Sequence, residues 1–179
     1  MAARPIGVSP DSRQEDAVAL LFAEHSAAVY RFARTRLSAA DAQDVVSEVF
    51  AVAWRRRGEG LDEPLSWLLG VARRVVANHL RADRRRGALL GRLAHRRPLA
   101  DDDLRLSGEL DELVRALDRM RPGDREVIAL LAAAELTTAE IATVLGCSVQ
   151  TAATRVHRAR RRLREIYPTT AGQEGGHDA

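Results

Sequence analysis

The stretch Thr137-Thr-Ala-Glu-Ile-Ala-Thr-Val-Leu-Gly-Cys-Ser-Val-Gln-Thr-Ala-Ala-Thr-Arg-Val-His-Arg-Ala-Arg-Arg-Arg-Leu-Arg-Glu-Ile166 decides the fold. Thr137 and Glu140 have the spacing of a capping box, in which each side chain satisfies the other residue's backbone N–H, and they predict the start of a short helix. Ile141, Ala142 and Leu145 give that helix an inner face, and Gly146 ends it. Ser148 suits the N-cap of a second helix, along which Ala152, Val156, Ala159, Leu163 and Ile166 recur at alternating spacings of four and three. Two helices joined by so tight a turn read as a helix-turn-helix. The apolar stripe of the second helix packs inward. Beside it, Thr151, Arg155, Arg158 and Arg162 form a polar stripe that an exposed helix could lay against DNA in the major groove. Taken alone, such a stripe is also what a solvated amphipathic helix carries. The turn, the small Ala142 at the crossing and the arginines of the second helix together favour DNA.

At 179 residues and 46% hydrophobic content the chain has room for one domain or two small ones, with ample material for a core. No apolar run is long enough to cross a bilayer, and the opening Met-Ala-Ala-Arg-Pro lacks the apolar segment of a signal peptide. A cytoplasmic protein with no direct membrane insertion is expected. The single cysteine, Cys147, excludes an internal disulfide and any multi-cysteine zinc site, and in the turn it most simply serves as a small hydrophobe. All 28 basic side chains in the Lys+Arg count are arginine. Arginine forks onto phosphates and guanine edges, although a codon bias towards it produces the same pattern. The net charge of +3 is unevenly laid out: residues 73–97 are strongly basic, residues 101–112 mostly acidic, and the last helix basic again. Two basic elements either side of an acidic stretch point to two nucleic-acid contacts.

From the start of the chain, residues 1–13 hold Pro5, Gly7, Ser9 and Pro10 and read as a disordered tail. A helix pattern begins at Gln14 and carries Val18, Leu21, Phe22, His25, Val29, Phe32, Ala33 and Arg36 on one face, with a break near Ser26. His25 is read as a packed histidine, because no second ligand lies one turn away. Ser38 and Asp41 open a helix over residues 39–57 whose Val45, Val49, Val52 row and Val46, Phe50, Ala53 row leave Asp44, Ser47, Glu48 and Ala51 as a narrow polar strip. A helix so apolar is buried on two sides or meets a partner. A loop with Gly58 and Gly60 follows, and Pro64 suits the first turn of the next helix. There Leu65, Leu68, Leu69, Ala72, Val75, Val76 and Leu80 form the core face, with Trp54 and Trp67 read as core residues near its start. Across from them Arg74, Asn78, Arg81 and Arg85 align, a face that could track a DNA strand or simply face water.

The pattern lapses over residues 87–106, where Gly87, Gly91, Pro98 and the aspartates Asp101 to Asp103 read as a linker. A magnesium site at those aspartates is the weaker reading, since no phosphate-cradling loop or partner acids accompany them. Helices resume at Ser107 and lead, through a break at Arg121-Pro122-Gly123, into the helix-turn-helix. The fold class expected is all-α: a first helical domain over 14–86, the linker, a second over 107–167, and a disordered tail over 168–179.

The order of these parts resembles the extracytoplasmic-function sigma factors of bacterial RNA polymerase over about residues 14–167. Three blocks carry the likeness. Asp41-Ala-Gln-Asp-Val-Val-Ser-Glu-Val-Phe-Ala-Val-Ala-Trp54 is similar to the helix that docks on the β′ clamp helices of core polymerase. Pro64-Leu-Ser-Trp-Leu-Leu-Gly-Val-Ala-Arg-Arg-Val-Val-Ala-Asn-His-Leu-Arg81 is similar to the helix that melts and reads the minus-ten element. Arg119-Met-Arg-Pro-Gly-Asp-Arg-Glu-Val-Ile128, with the helix-turn-helix after it, resembles the minus-thirty-five reader. Ser47 stands where the family often has glutamine, Arg74 where asparagine is common, and Ala152-Ala153 where valine and lysine are frequent.

The resemblance implies a binding protein with no catalytic residues, no cofactor and no bound metal. Asp44, Ser47, Glu48 and Phe50 would meet the polymerase. Arg57, Gly60, Arg73, Arg74, Asn78 and Arg81 would hold the minus-ten strand, with a flipped base in the 57–63 loop. Gln150, Thr151, Thr154 and Arg155 would lie at the minus-thirty-five base edges, with Arg158 and Arg162 on phosphates and Ser148 also at the minus-thirty-five DNA. Partners implied are core RNA polymerase, promoter DNA and, as is usual in the family, an anti-sigma factor. A stand-alone operator-binding regulator is the alternative. It explains the helix-turn-helix equally well, but not the apolar helix and basic helix of the first domain together. An enzyme is disfavoured: the five histidines are scattered and no nucleophile has a neighbouring base.

Overall fold

The computed structural model describes residues 10–56, 62–89 and 115–167. Arg57 and Gly60, the linker aspartates and the expected tail 168–179 lie outside them. Among the described residues every regular element is helical. The chain divides into two compact units, residues 1–96 and 97–179.

In the first unit, α1 spans Pro10–Arg34, α2 Ala39–Arg55 and α3 Pro64–Leu89. α1 begins ahead of the expected Gln14, because proline fits the first helical position, where its missing N–H is no loss. It also runs unbroken past Ser26. Its last turn is tied down locally: Arg34 Nη1 donates to the Leu37 carbonyl at 2.8 Å and Thr35 Oγ1 to the Phe32 carbonyl at 2.7 Å. Ser38 then N-caps α2, its Oγ accepting from the Asp41 N–H at 3.1 Å.

Three helices bury one another here. Val29, Phe32 and Ala33 of α1, Ala42, Val45, Val46, Val49, Phe50 and Ala53 of α2, and Leu68, Leu69, Ala72 and Val76 of α3 are all in the core. α2 packs on both neighbours, which explains why it is apolar on two sides. Burying each large aliphatic or phenyl group contributes about 1.5–3 kcal/mol. α3 continues to Leu89, three residues into the segment expected as linker, since a lone glycine at 87 costs a helix only about 1 kcal/mol.

The second unit holds a helical turn at residues 115–119, then α4 (Pro122–Ala133), α5 (Thr138–Leu145) and α6 (Val149–Ile166). Both halves of the Thr137–Glu140 capping box form: the Glu140 N–H donates to Thr137 Oγ1 at 3.2 Å, and the Thr137 N–H to Glu140 Oε2 at 2.7 Å. Buried Leu136 and Ile141 occupy the positions of a hydrophobic staple around that cap. At the other end of α5, Gly146 takes the left-handed conformation, φ 64° and ψ 44°. The N–H of Cys147 reaches back to the Ala142 carbonyl at 3.1 Å and that of Gly146 to Thr143 at 3.2 Å, a Schellman closure. The chain is then free to start α6 at once, with Ser148 Oγ accepting from the Thr151 N–H at 3.2 Å. α4 and α5 both pack on α6, through its buried Ala152, Val156 and Ala159.

Candidate nucleic-acid interface

Helical period and burial together orient α6. With Ala152, Val156 and Ala159 buried, a rotation of about 100° per residue turns Gln150, Thr154, His157 and Arg161 farthest from the core, and all four are exposed. Thr151, Arg158 and Arg162 flank this ridge and are exposed as well, whereas Arg155 is half-buried. His157 and Arg161 were missed in reading the arginine spacing; the apolar stripe, read for its opposite side, points to both. Ser148 and Thr154 are committed to local backbone, Ser148 as the cap and Thr154 Oγ1 donating to the Gln150 carbonyl at 3.0 Å.

The arginines are not equivalent. Arg162 Nη1 reaches Glu165 at 3.0 Å, and Arg161 Nε the same carboxylate at 3.5 Å, both exposed pairs worth about 0.5 kcal/mol or less. Arg158 instead crosses to α4, where its Nε donates to Asp124 Oδ1 at 3.0 Å. The sequence reading placed Arg158 on phosphates and did not foresee this second tie.

On α3, Arg74, Asn78, Arg81 and Arg85 form an exposed ridge opposite the core face, while Arg73 is half-buried. Arg81 Nη2 donates to Asn78 Oδ1 at 2.6 Å and its Nε to the Ala77 carbonyl at 3.2 Å, so this pair is held on the helix surface. Arg74 Nε similarly donates to the Gly70 carbonyl at 3.1 Å.

On α2, Asp44, Ser47, Glu48 and Ala51 are exposed as a strip. Glu48 Oε1 lies 3.0 Å from His79 Nε2 of α3. Two aromatic expectations are corrected. Phe50, expected at a partner surface, is in the core, its ring edge-on to Phe22 with centroids 4.9 Å apart. Trp54, expected in the core, is 43% exposed and extends the polar strip by a turn. Their positions follow from the register of α2: position 50 falls on its Val46 row, and position 54 beside Ser47 and Ala51. Trp67 is half-buried, with the Arg56 guanidinium 5.5 Å from its ring centre.

Among the described residues no three His, Cys, Asp or Glu side chains gather as a metal site, and no helix is long and apolar enough to cross a membrane.

The chain matches the family of Sigma-70 region 2 over residues 21–86 and that of Sigma-70 region 4 over residues 110–163. Among relatives, it is 33% identical to the ECF RNA polymerase sigma factor SigC of Mycobacterium tuberculosis over 136 residues, 74% of this chain and 73% of that protein. It belongs to the extracytoplasmic-function sigma factors. The sigma factor is also 32% identical over 169 residues to BldN of Streptomyces coelicolor, covering 88% of this chain but only 63% of BldN. Its fold is that of the sigma factor RpoE of Bartonella quintana, solved in complex with the anti-sigma factor NepR: TM-score 0.69 at 23% identity, over 90% of this chain and 99% of that one. Region 2 of this sigma factor thus takes in the C-terminal half of α1, all of α2 and nearly all of α3, and region 4 takes in α4, α5 and most of α6.

Proposed function

We propose that this sigma factor binds core RNA polymerase and directs it to start transcription at its own set of promoters, working in the cytoplasm as a binding protein rather than an enzyme. The observation that carries the reading is the presence of both sigma regions in one chain, in order. An operator-binding regulator needs the second but has no use for the first.

Region 2 would dock through the exposed strip of Asp44, Ser47 and Glu48, now extended by Trp54, with Phe50 supporting it from within. The α3 ridge, with Arg73, Arg74, Asn78 and Arg81, would follow the minus-ten strand, and Arg57 and Gly60 belong to the same proposed contact by sequence. Region 4 would set Gln150, Thr151, Thr154 and Arg155 at minus-thirty-five base edges, with Arg158 and Arg162 on phosphates. An anti-sigma factor, the class of partner with which the Bartonella protein was solved, belongs to the same proposal as a second protein partner.

The test is co-purification of the full chain with core polymerase. Asp44→Arg combined with Glu48→Arg reverses two exposed charges, so helical content should be unchanged while binding to core enzyme is lost. Full retention of core enzyme by the folded double variant would remove the docking assignment, and failure of the wild type to bind would favour the regulator.

A further inference from the structure

Asp124 is the one charged residue among the described residues that is buried, at 4% exposure. It sits in the first turn of α4, where the N-terminal end of the helix favours a carboxylate. Its Oδ1 accepts from Nε of Arg158 at 3.0 Å, although the two lie 34 positions apart. The Arg158 side chain is itself 56% exposed, so the pair is closed at the carboxylate and open at the guanidinium. Nε is the inner nitrogen of that plane. A guanidinium held by it keeps both terminal nitrogens, and among the described residues neither has a partner. Arg161 and Arg162 differ: both lean on Glu165 of their own helix, in water, and can swing away.

We propose that Asp124 is a positioning residue for DNA binding: it grips Arg158 by Nε and aims the two terminal nitrogens outward as a preset fork for one backbone phosphate. The inference rests on α6 being the DNA-facing helix. Freezing a free arginine on binding costs about two- to tenfold in affinity, and Asp124 removes that loss in advance. Its negative charge acts the other way, since a carboxylate within a Debye length of about 10 Å weakens attraction to phosphate. The two effects have opposite signs, so deleting Asp124 separates them.

The experiment is fluorescence anisotropy of the full chain on a labelled duplex of mixed sequence, which suffices because a phosphate contact needs no particular promoter. Asp124→Ala should bind about two- to tenfold more weakly than wild type even though a negative charge has gone. Asp124→Asn, which keeps the acceptor oxygen, should bind at least as tightly as wild type. Arg158→Lys cannot present a fork and should weaken binding, and adding Asp124→Ala to it should bring no further loss. Melting curves establish that each variant is folded at the assay temperature; if Asp124→Ala is not, Asp124→Leu, close in shape and without an acceptor, replaces it. Binding by the acceptor-less variant as tight as wild type, or an equal loss in the Arg158→Lys background, overturns the positioning role. A wild-type chain that leaves the duplex free at low salt overturns the DNA-facing reading of α6, and the inference with it.

Discussion

Phe50 and Trp54 stand one turn apart on α2, yet one is core and the other surface. The edge-on contact with Phe22 holds Phe50 at 6% exposure, while Trp54 carries its ring out beside Ser47 and Ala51. Truncation should therefore act on different properties. Phe50→Ala opens a cavity and should cost about 3 kcal/mol, the low end for a buried phenyl because Phe22 can partly follow it in. Trp54→Ala should cost about 1 kcal/mol or less and instead weaken capture of core polymerase. Urea unfolding of the full chain, beside the pull-down, checks both. A larger stability loss for Trp54→Ala than for Phe50→Ala would contradict the assignment of faces.

The two ends of α5 show how much an eight-residue helix owes to its termini. Too short to persist alone, it is delimited by the capping box on one side and by left-handed Gly146 on the other. Glu140 has its pKa lowered from the usual carboxylate value, chiefly by the hydrogen bond from the Thr137 hydroxyl and then by that from the Thr137 N–H. A carboxyl whose folded pKa is depressed stabilises the fold above its unfolded value and loses that contribution as pH falls through the folded one. The window is thus below the ordinary carboxylate range. Glu140→Gln can still complete a capping box but does not titrate there. Its melting temperature should fall less than that of wild type between neutral and acid pH, since the remaining carboxyl groups are common to both. Circular dichroism melts across that range measure the difference, and identical acid limbs would show that the cap is indifferent to the charge.

At the scale of the whole chain, two units of different character follow one another: a three-helix unit with an acidic strip and an arginine ridge, and a helix-turn-helix unit. If the first opens promoter DNA while the second locates it, replacing both Arg74 and Arg81 by Ala should leave holoenzyme assembly and duplex binding nearly intact but abolish strand opening. Permanganate reactivity of unpaired thymines, read beside a gel shift, reports the two separately; a bubble of normal extent in the variant would sink the division of labour. Local chemistry made much of this legible in the sequence. The Thr137–Glu140 box, Ser38 and Ser148 as caps, Gly146 as a stop and the apolar stripe of α6 all act within one or two turns, so residue spacing alone determines them. The start of α1 at Pro10 was hidden because a proline reads equally as a break and as a first helical residue. What only the tertiary structure decided were the contacts between elements. Periodicity puts Phe50 on the Val46 row and Trp54 beside Ser47 and Ala51 but does not say which neighbour covers each face, so the edge-on cover of Phe50 by Phe22 of α1 came only from packing. The tie from Arg158 to Asp124 was equally out of reach, because a bond across 34 positions exists only where packing brings α4 and α6 together.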